Sequence, residues 1–313
     1  MKAAVVTEAG ALPVYTEFEE PVAGLGERVV TVHTAGLSRL VRARASGRHY
    51  SSAAQFPFVV GVDGIGTLED GQKVYFFMPR APFGAMAERA VVPANGIIAV
   101  PEALDDVTAA AISNPGMSSW AALTLRARLK AGETVLINGA TGSSGKLAVR
   151  IARHLGARKV IATGRNTEVL AKLGADVTIA LTDKAVHLDA LLQEQFADGI
   201  NVVLDYLWGR SAEQILVTAA NVARNATPIR FVQIGSMSGL DITLPGSILR
   251  SSAIELLGSG LGSVALEDLV SSVGAMFKAA LLADLSIATD AMPLSDVTSA
   301  WSRDEGNRVV FTL

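Results

Sequence analysis

The sequence Thr134-Val-Leu-Ile-Asn-Gly-Ala-Thr-Gly-Ser-Ser-Gly-Lys-Leu-Ala-Val-Arg-Ile-Ala-Arg-His-Leu-Gly156 decides how this chain folds. It opens with a short apolar run at residues 135–137, which is typical of a strand buried on both faces. A glycine-rich turn follows, and then Leu147, Ile151 and Leu155 recur every four positions, the spacing of one helix face. Strand, glycine turn and helix in this order predict the phosphate-binding unit of a dinucleotide fold.

Three small residues define the turn, because Ala140, Gly142 and Gly145 stand in the register A-x-G-x-x-G. The first permits a tight turn, the second lets the backbone approach a pyrophosphate, and the third lets the helix pack close to the strand. The free N–H groups and the positive dipole end of the helix then favour binding of the phosphates. An ordinary tight turn before a helix is the alternative, but the flanking strand and helix favour the dinucleotide site.

The composition predicts a soluble cytoplasmic protein with two domains. The chain has 313 residues, of which 50% are hydrophobic and 18% charged, and its net charge is −3. Lysine and arginine are scattered, so nothing predicts a nucleic-acid partner or a basic membrane-binding face. No apolar run has spanning length, and the start, Met1-Lys-Ala-Ala-Val-Val-Thr-Glu8, lacks the apolar core of a secretory signal.

A metal site is not expected. The chain contains no cysteine, which excludes disulfides, thiolate zinc sites and cysteine nucleophiles. Its four histidines, His33, His49, His154 and His187, are dispersed and show no H-x-x-x-H spacing.

The pattern of secondary structure divides the chain. Up to about residue 100, short runs rich in valine, isoleucine, phenylalanine and tyrosine, one of them at residues 58–62, predict a partly open barrel. A helix at residues 118–128 is predicted after a break at Asn114-Pro-Gly116. From Thr134 strands alternate with helical segments, which predicts a parallel sheet of six strands in a complete doubly wound arrangement. The remaining helix and strands are expected to return to the first domain.

The end of the second strand of this sheet favours NADPH over NADH. An NAD site carries an acidic residue there, roughly 20 residues after the glycines, whereas this chain has Gly164. Arg165 beside it can form charge-assisted hydrogen bonds to a 2′-phosphate. Alternatively, Arg165 is a solvated loop residue and Asn166 caps the next helix, although Asn166 could do both.

The chain resembles the medium-chain dehydrogenase/reductase superfamily over essentially its whole length, and within it the zinc-independent quinone oxidoreductase branch. The stretches that carry the resemblance are residues 35–47, 58–66, 84–88, 116–123 and 138–145. Zinc alcohol dehydrogenases have Cys where Ser38 stands, and Gly-His-Glu where Gly61-Val-Asp63 stands. The resemblance therefore implies metal-free chemistry.

The resemblance implies an α/β architecture with a GroES-like, partly open β-barrel catalytic domain and a six-stranded doubly wound Rossmann domain. Residues 1–110 and 261–313 would form the barrel-like substrate domain, and residues 111–260 the NADP-binding domain. The implied function is an NADPH-dependent, metal-free oxidoreductase that transfers hydride to a quinone or an α,β-unsaturated carbonyl. Quinone reductases usually have Asn where this chain has Ser38, Asp where it has Val41, and a Tyr near the position of His49-Tyr50. Because of these differences, the resemblance implies a quinone substrate less firmly than it implies the cofactor.

Ser38, His49 and Tyr50 are the candidates for polar contact with the substrate oxygen. Each has a structural alternative, because Ser38 can cap a helix and His49-Tyr50 can be exposed loop residues. Four nearby arginines form a basic cluster that is predicted to be a solvated face, namely Arg39, Arg42, Arg44 and Arg48.

The cofactor contacts come from the glycine turn, from the ends of the parallel strands and, by resemblance, from a helix start near the nicotinamide ribose. Together the predicted contacts are Met117, Ser118, Asn138, Ala140, Thr141, Gly142, Ser143, Ser144, Gly145, Gly164, Arg165, Asn166, Tyr206, Ile234, Gly235, Ser236, Leu257, Gly258 and Ser259. Tyr206 is equally compatible with ordinary packing.

The glycine motif is compatible with two other classes of protein. A short-chain reductase is rejected, because the nucleotide motif begins in mid-chain and no tyrosine is followed by lysine four residues later. An NADPH-binding sensor or crystallin-like structural protein with little turnover stays open, since the positions of Ser38 and Val41 depart from the branch. A homodimer is expected by analogy, through edge-to-edge pairing of the apolar last strand at residues 253–257.

Overall fold

The computed structural model describes residues 1–47, 49, 52, 55–182, 185–222, 227–303 and 306–313. The chain divides into two compact units, one of Met1–Met117 with Ala265–Leu313 and the other of Ser118–Val264. No helix in the described part of the chain is long and apolar enough to cross a membrane.

The N-terminal part of the chain is built mainly from strands. Its elements are β1 (Lys2–Val6), β2 (Val14–Glu17), β3 (Glu27–Gly36), α1 (Arg39–Ala45), β4 (Phe58–Val59), β5 (Asp63–Thr67), β6 (Lys73–Phe77), β7 (Arg89–Pro93), a short 3₁₀ turn (Ala94–Gly96), β8 (Ile97–Ala99), α2 (Asp106–Ala121) and a π-helical turn (Ala122–Arg126).

Strands and helices then alternate, as the sequence predicts. The elements are β9 (Thr134–Asn138), α3 (Ser143–His154), β10 (Lys159–Gly164), α4 (Thr167–Ala171), β11 (Val177–Ala180), α5 (Ala185–Asp198), β12 (Val202–Asp205), α6 (Gly209–Val222), β13 (Ile229–Gln233), α7 (Gly246–Arg250) and β14 (Ile254–Gly258). The chain ends with α8 (Leu266–Ala280), β15 (Thr289–Pro293), a 3₁₀ turn (Leu294–Asp296), α9 (Val297–Ala300) and β16 (Arg308–Thr312).

The second unit contains a parallel sheet. Among the described residues, its six strands lie in the order β11-β10-β9-β12-β13-β14, and each neighbouring pair is parallel. This is the strand order of a doubly wound dinucleotide fold. On one face, Leu136, Ile161, Val203 and Phe231 are buried in a core cluster with the helices. The predicted six-stranded sheet is confirmed.

The first unit has separate β structure. Its described strands form a three-stranded sheet, β2-β1-β4, and a larger sheet, β15-β16-β3-β5-β6-β8, in which β7 also pairs with β3. The C-terminal strand β16 pairs antiparallel with β3, so the tail of the chain completes the larger sheet. A parallel sheet in one unit and mixed β structure in the other agree with the predicted α/β class.

Two local predictions were wrong. The break at Asn114-Pro-Gly116 is absent, because α2 continues through Pro115 to Ala121. Ile112 and Ala121 are both fully buried, and this packing outweighs the roughly 3 kcal/mol that an interior proline costs a helix. The strand predicted at residues 58–62 is shorter, because β4 ends at Val59, and Gly61 beyond it has a φ of 105° in the left-handed region.

A buried carboxyl group lies inside the first unit. Asp63 Oδ2 accepts hydrogen bonds from Ser113 Oγ at 2.9 Å and from Tyr75 OH at 3.4 Å. Burial raises the pKa of Asp63 to about 6, although the charge of Arg308 and these hydrogen bonds act in the opposite direction. Asp63 is therefore a buried acid whose ionised form is less stable than that of an exposed carboxyl.

We expect Asp63 to make folding less favourable as the pH rises from about 4 to about 6. Since the pKa of Asp63 rises from 3.8 to about 6 on folding, the folded state binds more protons over this range, and its stability falls. In Asp63→Asn this titration is absent. The free energy of unfolding of the variant, relative to wild type, should rise by about 2 kcal/mol between pH 4 and pH 7. Urea denaturation at several pH values measures it, and a difference independent of pH would contradict the prediction.

Candidate active site

The carboxyl ends of the parallel strands share one edge of the sheet in the second unit. Strand β9 is central, with β10 on one side and β12 on the other. The chain leaves β9 for a helix and then adds strands on both sides, so this is the point where the strand order reverses. Doubly wound folds bind their ligands in the crevice at this point. The edge is therefore the candidate site for a dinucleotide.

Asn138 ties the ends of three strands together. Its Oδ1 accepts a hydrogen bond from Thr163 Oγ1 at 2.7 Å, and its Nδ2 donates to Asp205 Oδ1 at 2.8 Å and to Ser211 Oγ at 2.9 Å. Asn138, Thr163 and Asp205 are all fully buried. The side-chain amide of Asn138, which is predicted from the sequence to contact the cofactor, thus forms its hydrogen bonds within the protein. There it positions the loop that begins at the next residue.

Asp205 fixes the turn that follows β12. Its carboxylate accepts backbone hydrogen bonds from Leu207 at 3.0 Å and from Trp208 at 3.1 Å, as well as the amide of Asn138. Burial raises the pKa of Asp205, and these hydrogen bonds lower it in part. The backbone donors and the Asn138 amide thus stabilise the carboxylate of Asp205 at the edge of the sheet.

The glycine turn lies against the end of β10. The backbone N–H groups of Gly139 and Ala140 both donate to Thr163 O, at 3.2 and 2.8 Å. A Cβ atom on Gly145 would lie 2.5 Å from Ala140 Cα, so α3 approaches the turn as closely as its backbone permits. Only glycine allows this contact without a shift of the backbone.

Gly142 shows that the turn has room for a ligand. Its φ of −79° is open to any residue, and among the described residues the nearest atom to a Cβ placed there would be Gly139 O, 4.0 Å away. Neither conformation nor packing requires glycine at this position. Since a phosphate needs close approach to the backbone, the open space in front of Gly142 fits a bound pyrophosphate.

The N-terminus of α3 has the electrostatics of a phosphate site. The helix begins at Ser143, its first turn contains no acidic residue, and no side chain caps it at Gly142. The N–H groups of the first turn and the positive end of the helix dipole are suited to an anion. Thr141, Ser143 and Ser144 are all half-buried beside this end of the helix.

Tyr206 is held by the last turns of α2. Its hydroxyl lies 2.8 Å from Ser119 Oγ, and Ser119 Oγ also donates to Ser144 O at 3.1 Å. Burial raises the pKa of Tyr206, while hydrogen bonds with Ser119 and Ser118 lower it in part, so the phenol stays protonated. This bridge to the start of α3 depends on Ser119, which the sequence did not single out.

Met117 and Ser118 were expected at the start of a helix, and this was wrong. Both lie inside α2, which begins at Asp106. The sequence signal for a new helix was the Asn-Pro-Gly segment, and burial of α2 overrides it.

Gly164 and its neighbours end β10 beside the glycine turn. A Cβ atom on Gly164 would lie 2.5 Å from Thr141 Cγ2, so any side chain here would displace Thr141. Arg165 is exposed. Asn166 Oδ1 accepts a hydrogen bond from Val169 N at 3.0 Å and caps α4. Helix capping is the structural alternative that the sequence predicts for Asn166.

The ends of β13 and β14 complete the edge. The N–H groups of Ile234 and Gly235 donate to Asp205 O at 2.8 and 3.2 Å, and Ser236 is exposed beyond them. Among the described residues, no atom lies within 4 Å of a Cβ placed on Gly258, between Leu257 and Ser259. These backbone segments lie at the carboxyl ends of β13 and β14.

The candidate substrate contacts belong to the first unit. Ser38 is buried, and its Oγ accepts a hydrogen bond from Val41 N at 3.1 Å, which caps α1. Burial, and secondly the charge of Arg44, lower the pKa of His49, which favours a neutral imidazole. Tyr50 lies outside the described residues.

The described residues contain no group of three or more His, Asp or Glu side chains placed to hold a metal ion. The chain has no cysteine to add to such a group.

Comparison with known proteins relates the chain to reductases. The family model described as "Zinc-binding dehydrogenase" matches residues 145–276. The chain is 32% identical over 358 aligned residues to the "Probable NADPH-dependent quinone reductase tdiC" of Emericella nidulans, with 99% of each protein covered. It is 28% identical to the 2-haloacrylate reductase of a Burkholderia species, over 64% of this chain and 67% of that protein.

A solved structure has the same fold. The quinone oxidoreductase from Thermus thermophilus, whose crystal structures include its complex with NADPH, aligns with a TM-score of 0.81 and 25% sequence identity. The alignment covers 100% of both chains.

Two glycines of the turn should respond differently to the same substitution. In Gly142→Ala we expect the free energy of unfolding to change by less than about 1 kcal/mol, because the backbone angles and the space suit alanine. NADPH affinity should fall by about tenfold or more, since the methyl group occupies the open space, a loss of about 1.4 kcal/mol. Gly145→Ala should instead lower stability by about 1–3 kcal/mol, because Cβ overlaps Ala140.

Chemical denaturation and the fluorescence of bound NADPH measure the two quantities. Gly145→Ala is the matched control, since it adds the same methyl group to the same turn. Unchanged NADPH affinity in Gly142→Ala would show that the space in front of this residue is not used by the cofactor.

Proposed function

We propose an NADPH-dependent reductase activity for this protein, which belongs to the medium-chain dehydrogenase/reductase superfamily and, within it, to the zinc-independent quinone oxidoreductase-like branch. The observation that carries the proposal is the glycine turn, where the described residues leave open space in front of Gly142. The residues present fit a dinucleotide, because the turn, the N-terminus of α3 and the strand ends form one continuous edge.

The cofactor is NADPH. The relative that covers 99% of this chain is named for NADPH, and the crystal structures of the Thermus enzyme include an NADPH complex. In this chain, Gly164 places no carboxylate at the end of β10, and the exposed Arg165 follows it. A guanidinium binds a phosphate through paired charge-assisted hydrogen bonds, so Arg165 is the residue we assign to the 2′-phosphate.

The acceptor is a quinone or an α,β-unsaturated carbonyl compound. NADPH, when bound, supplies the hydride, and a proton from solvent or from a protein group completes the reduction of the acceptor. The two relatives described above are named for a quinone and for a haloacrylate, which are both electron-poor acceptors.

The protein's own task is to hold the acceptor and stabilise negative charge on its oxygen. We assign this contact to Ser38, His49 and Tyr50. The cap on α1 uses one acceptor site of the Ser38 hydroxyl, and a hydroxyl carries one donor and two acceptor sites. A neutral His49 can donate one N–H hydrogen bond to such an oxygen.

The activity is tested by following oxidation of NADPH by the purified full chain, with 1,4-benzoquinone, 9,10-phenanthrenequinone and an enone as acceptors. Turnover with at least one acceptor is expected. Binding of NADPH without oxidation by any of them would contradict a reductase and favour the sensor or structural alternative.

In the same assay, Arg165→Ala should raise the KM for NADPH by roughly 10- to 100-fold, the value of one or two charge-assisted hydrogen bonds. The KM for NADH should stay unchanged, because NADH lacks the 2′-phosphate. Arg158→Ala is the matched control, since Arg158 is exposed and lies before the opposite end of the same strand. An equal rise of the KM for NADPH and for NADH would show that Arg165 does not bind the 2′-phosphate.

We also propose a homodimer through the edge of the parallel sheet. Strand β14 is last in the strand order, and Leu256 on it is 40% exposed. An apolar edge strand pairs readily with a second copy. Light scattering should give twice the chain mass for wild type, whereas Leu256→Asp should shift the protein toward the monomer. A monomeric wild type would refute the proposal.

A further inference from the structure

The end of β10 has no space for a side chain. Gly164 is buried there, and a Cβ atom placed on it would lie 2.5 Å from Thr141 Cγ2 and 3.2 Å from Thr141 Oγ1. The third neighbour is Leu170 Cδ2, at 3.4 Å, which is an ordinary contact distance. The obstacle to a side chain at this position is therefore Thr141.

Backbone conformation does not require the glycine. Gly164 lies within β10 and pairs with Ala180 of β11, and its φ is outside the left-handed region. An extended strand position of this kind accepts any residue. The absence of a Cβ atom at position 164 is thus a consequence of packing against Thr141.

Thr141 is held in place at the start of the glycine turn. The two residues before it, Gly139 and Ala140, donate their N–H groups to Thr163 O at 3.2 and 2.8 Å, so the turn is fixed to the end of β10. Threonine is branched at Cβ, and both branch atoms face Gly164. Rotation about χ1 only exchanges methyl, hydroxyl and hydrogen, so every staggered rotamer leaves at least one heavy atom on this side.

The space that Thr141 fills matters for the choice of cofactor. In dinucleotide folds, an acidic residue at the end of the second strand binds the ribose 2′-hydroxyl of NADH. Aspartate and glutamate both begin with a Cβ atom, so neither fits at position 164 without displacing Thr141. A carboxylate at this place would also repel the 2′-phosphate of NADPH, because both groups are negative. Thr141 therefore keeps out the group that would favour NADH.

We propose that Thr141 fixes the preference of this site for NADPH. Its side chain excludes an acidic residue from the end of β10, so the preference changes to NADH only when positions 141 and 164 change together. With the carboxylate excluded, the exposed Arg165 is the charged residue next to the strand end. The proposal rests on the use of NADPH by the proposed reductase, whereas the contact between Thr141 and position 164 exists without cofactor.

Urea denaturation of Gly164→Ala in three backgrounds tests the contact. With Thr141 present, the substitution should raise the equilibrium constant of unfolding by about tenfold or more, because Cβ overlaps the methyl group. The same is expected with Thr141→Val, since valine keeps both branches. With Thr141→Ala the substitution should be nearly neutral, because the space is free and alanine suits the extended backbone. An equal effect in all three backgrounds would overturn the proposal.

Fluorescence titration with NADPH and NADH tests the preference. In Gly164→Asp, NADPH affinity should fall by about tenfold or more, and NADH should gain no affinity, because Thr141 keeps the carboxylate from its place. When Thr141→Ala is added, NADH should bind at least about tenfold more tightly than to Gly164→Asp alone, the value of a hydrogen bond to a charged group.

Gly164→Asp combined with Thr141→Val is the matched control and should not gain affinity for NADH. NADH binding to Gly164→Asp alone, as tight as to the variant with alanine at position 141, would overturn the proposal. Failure of the wild-type chain to bind NADPH would overturn the proposed function together with this proposal. Equal unfolding effects in a chain that binds NADPH would overturn this proposal alone.

Discussion

The candidate cofactor site depends on the hydrogen bonds of one buried amide. Asn138 accepts from Thr163 and donates to Asp205, so a single side chain joins the ends of β10, β9 and β12. All three residues are removed from water, and a buried polar network that is fully satisfied holds its members in one arrangement. The glycine turn begins at the residue after Asn138. Its position relative to the neighbouring strands therefore follows from this network.

The glycines of the turn serve different physical purposes. Gly145 is required by the protein itself, because α3 packs against Ala140 with no space for a side chain. Among the described residues, neither packing nor backbone conformation requires glycine at position 142, and the space before it is open. Gly145 makes the helix start at the right place, whereas Gly142 leaves the start of that helix accessible to a phosphate.

The two units supply different chemistry. The second offers backbone N–H groups, a helix dipole and satisfied polar side chains, which suit the charged phosphates of a dinucleotide. The first offers an apolar cavity with one half-buried guanidinium, together with a neutral His49 whose pKa the charge of Arg44 helps to lower. A dinucleotide needs many fixed donors, whereas a small organic molecule needs apolar surface and one or two oriented polar groups.

The elements whose pattern is local could be predicted from the residues alone. The run before Asn138, the small residues at positions 140, 142 and 145, and the spacing of Leu147, Ile151 and Leu155 were enough to place strand, turn and helix. Alternation of such segments was enough for the six-stranded parallel sheet, and the family resemblance followed from short motifs along the chain.

Features that depend on burial and on distant contacts became clear from the three-dimensional fold. Helix α2 continues through Pro115 because it is packed on the protein interior, and local propensity gives no measure of that packing. Ser119 became visible only through its contacts with Tyr206 and Ser144, since nothing in its local sequence marks it. Arg44 looked like one of four equivalent arginines until the fold buried one face of α1. Sequence periodicity reports how residues repeat along an element, whereas the partner of each face is set by residues far away in the chain.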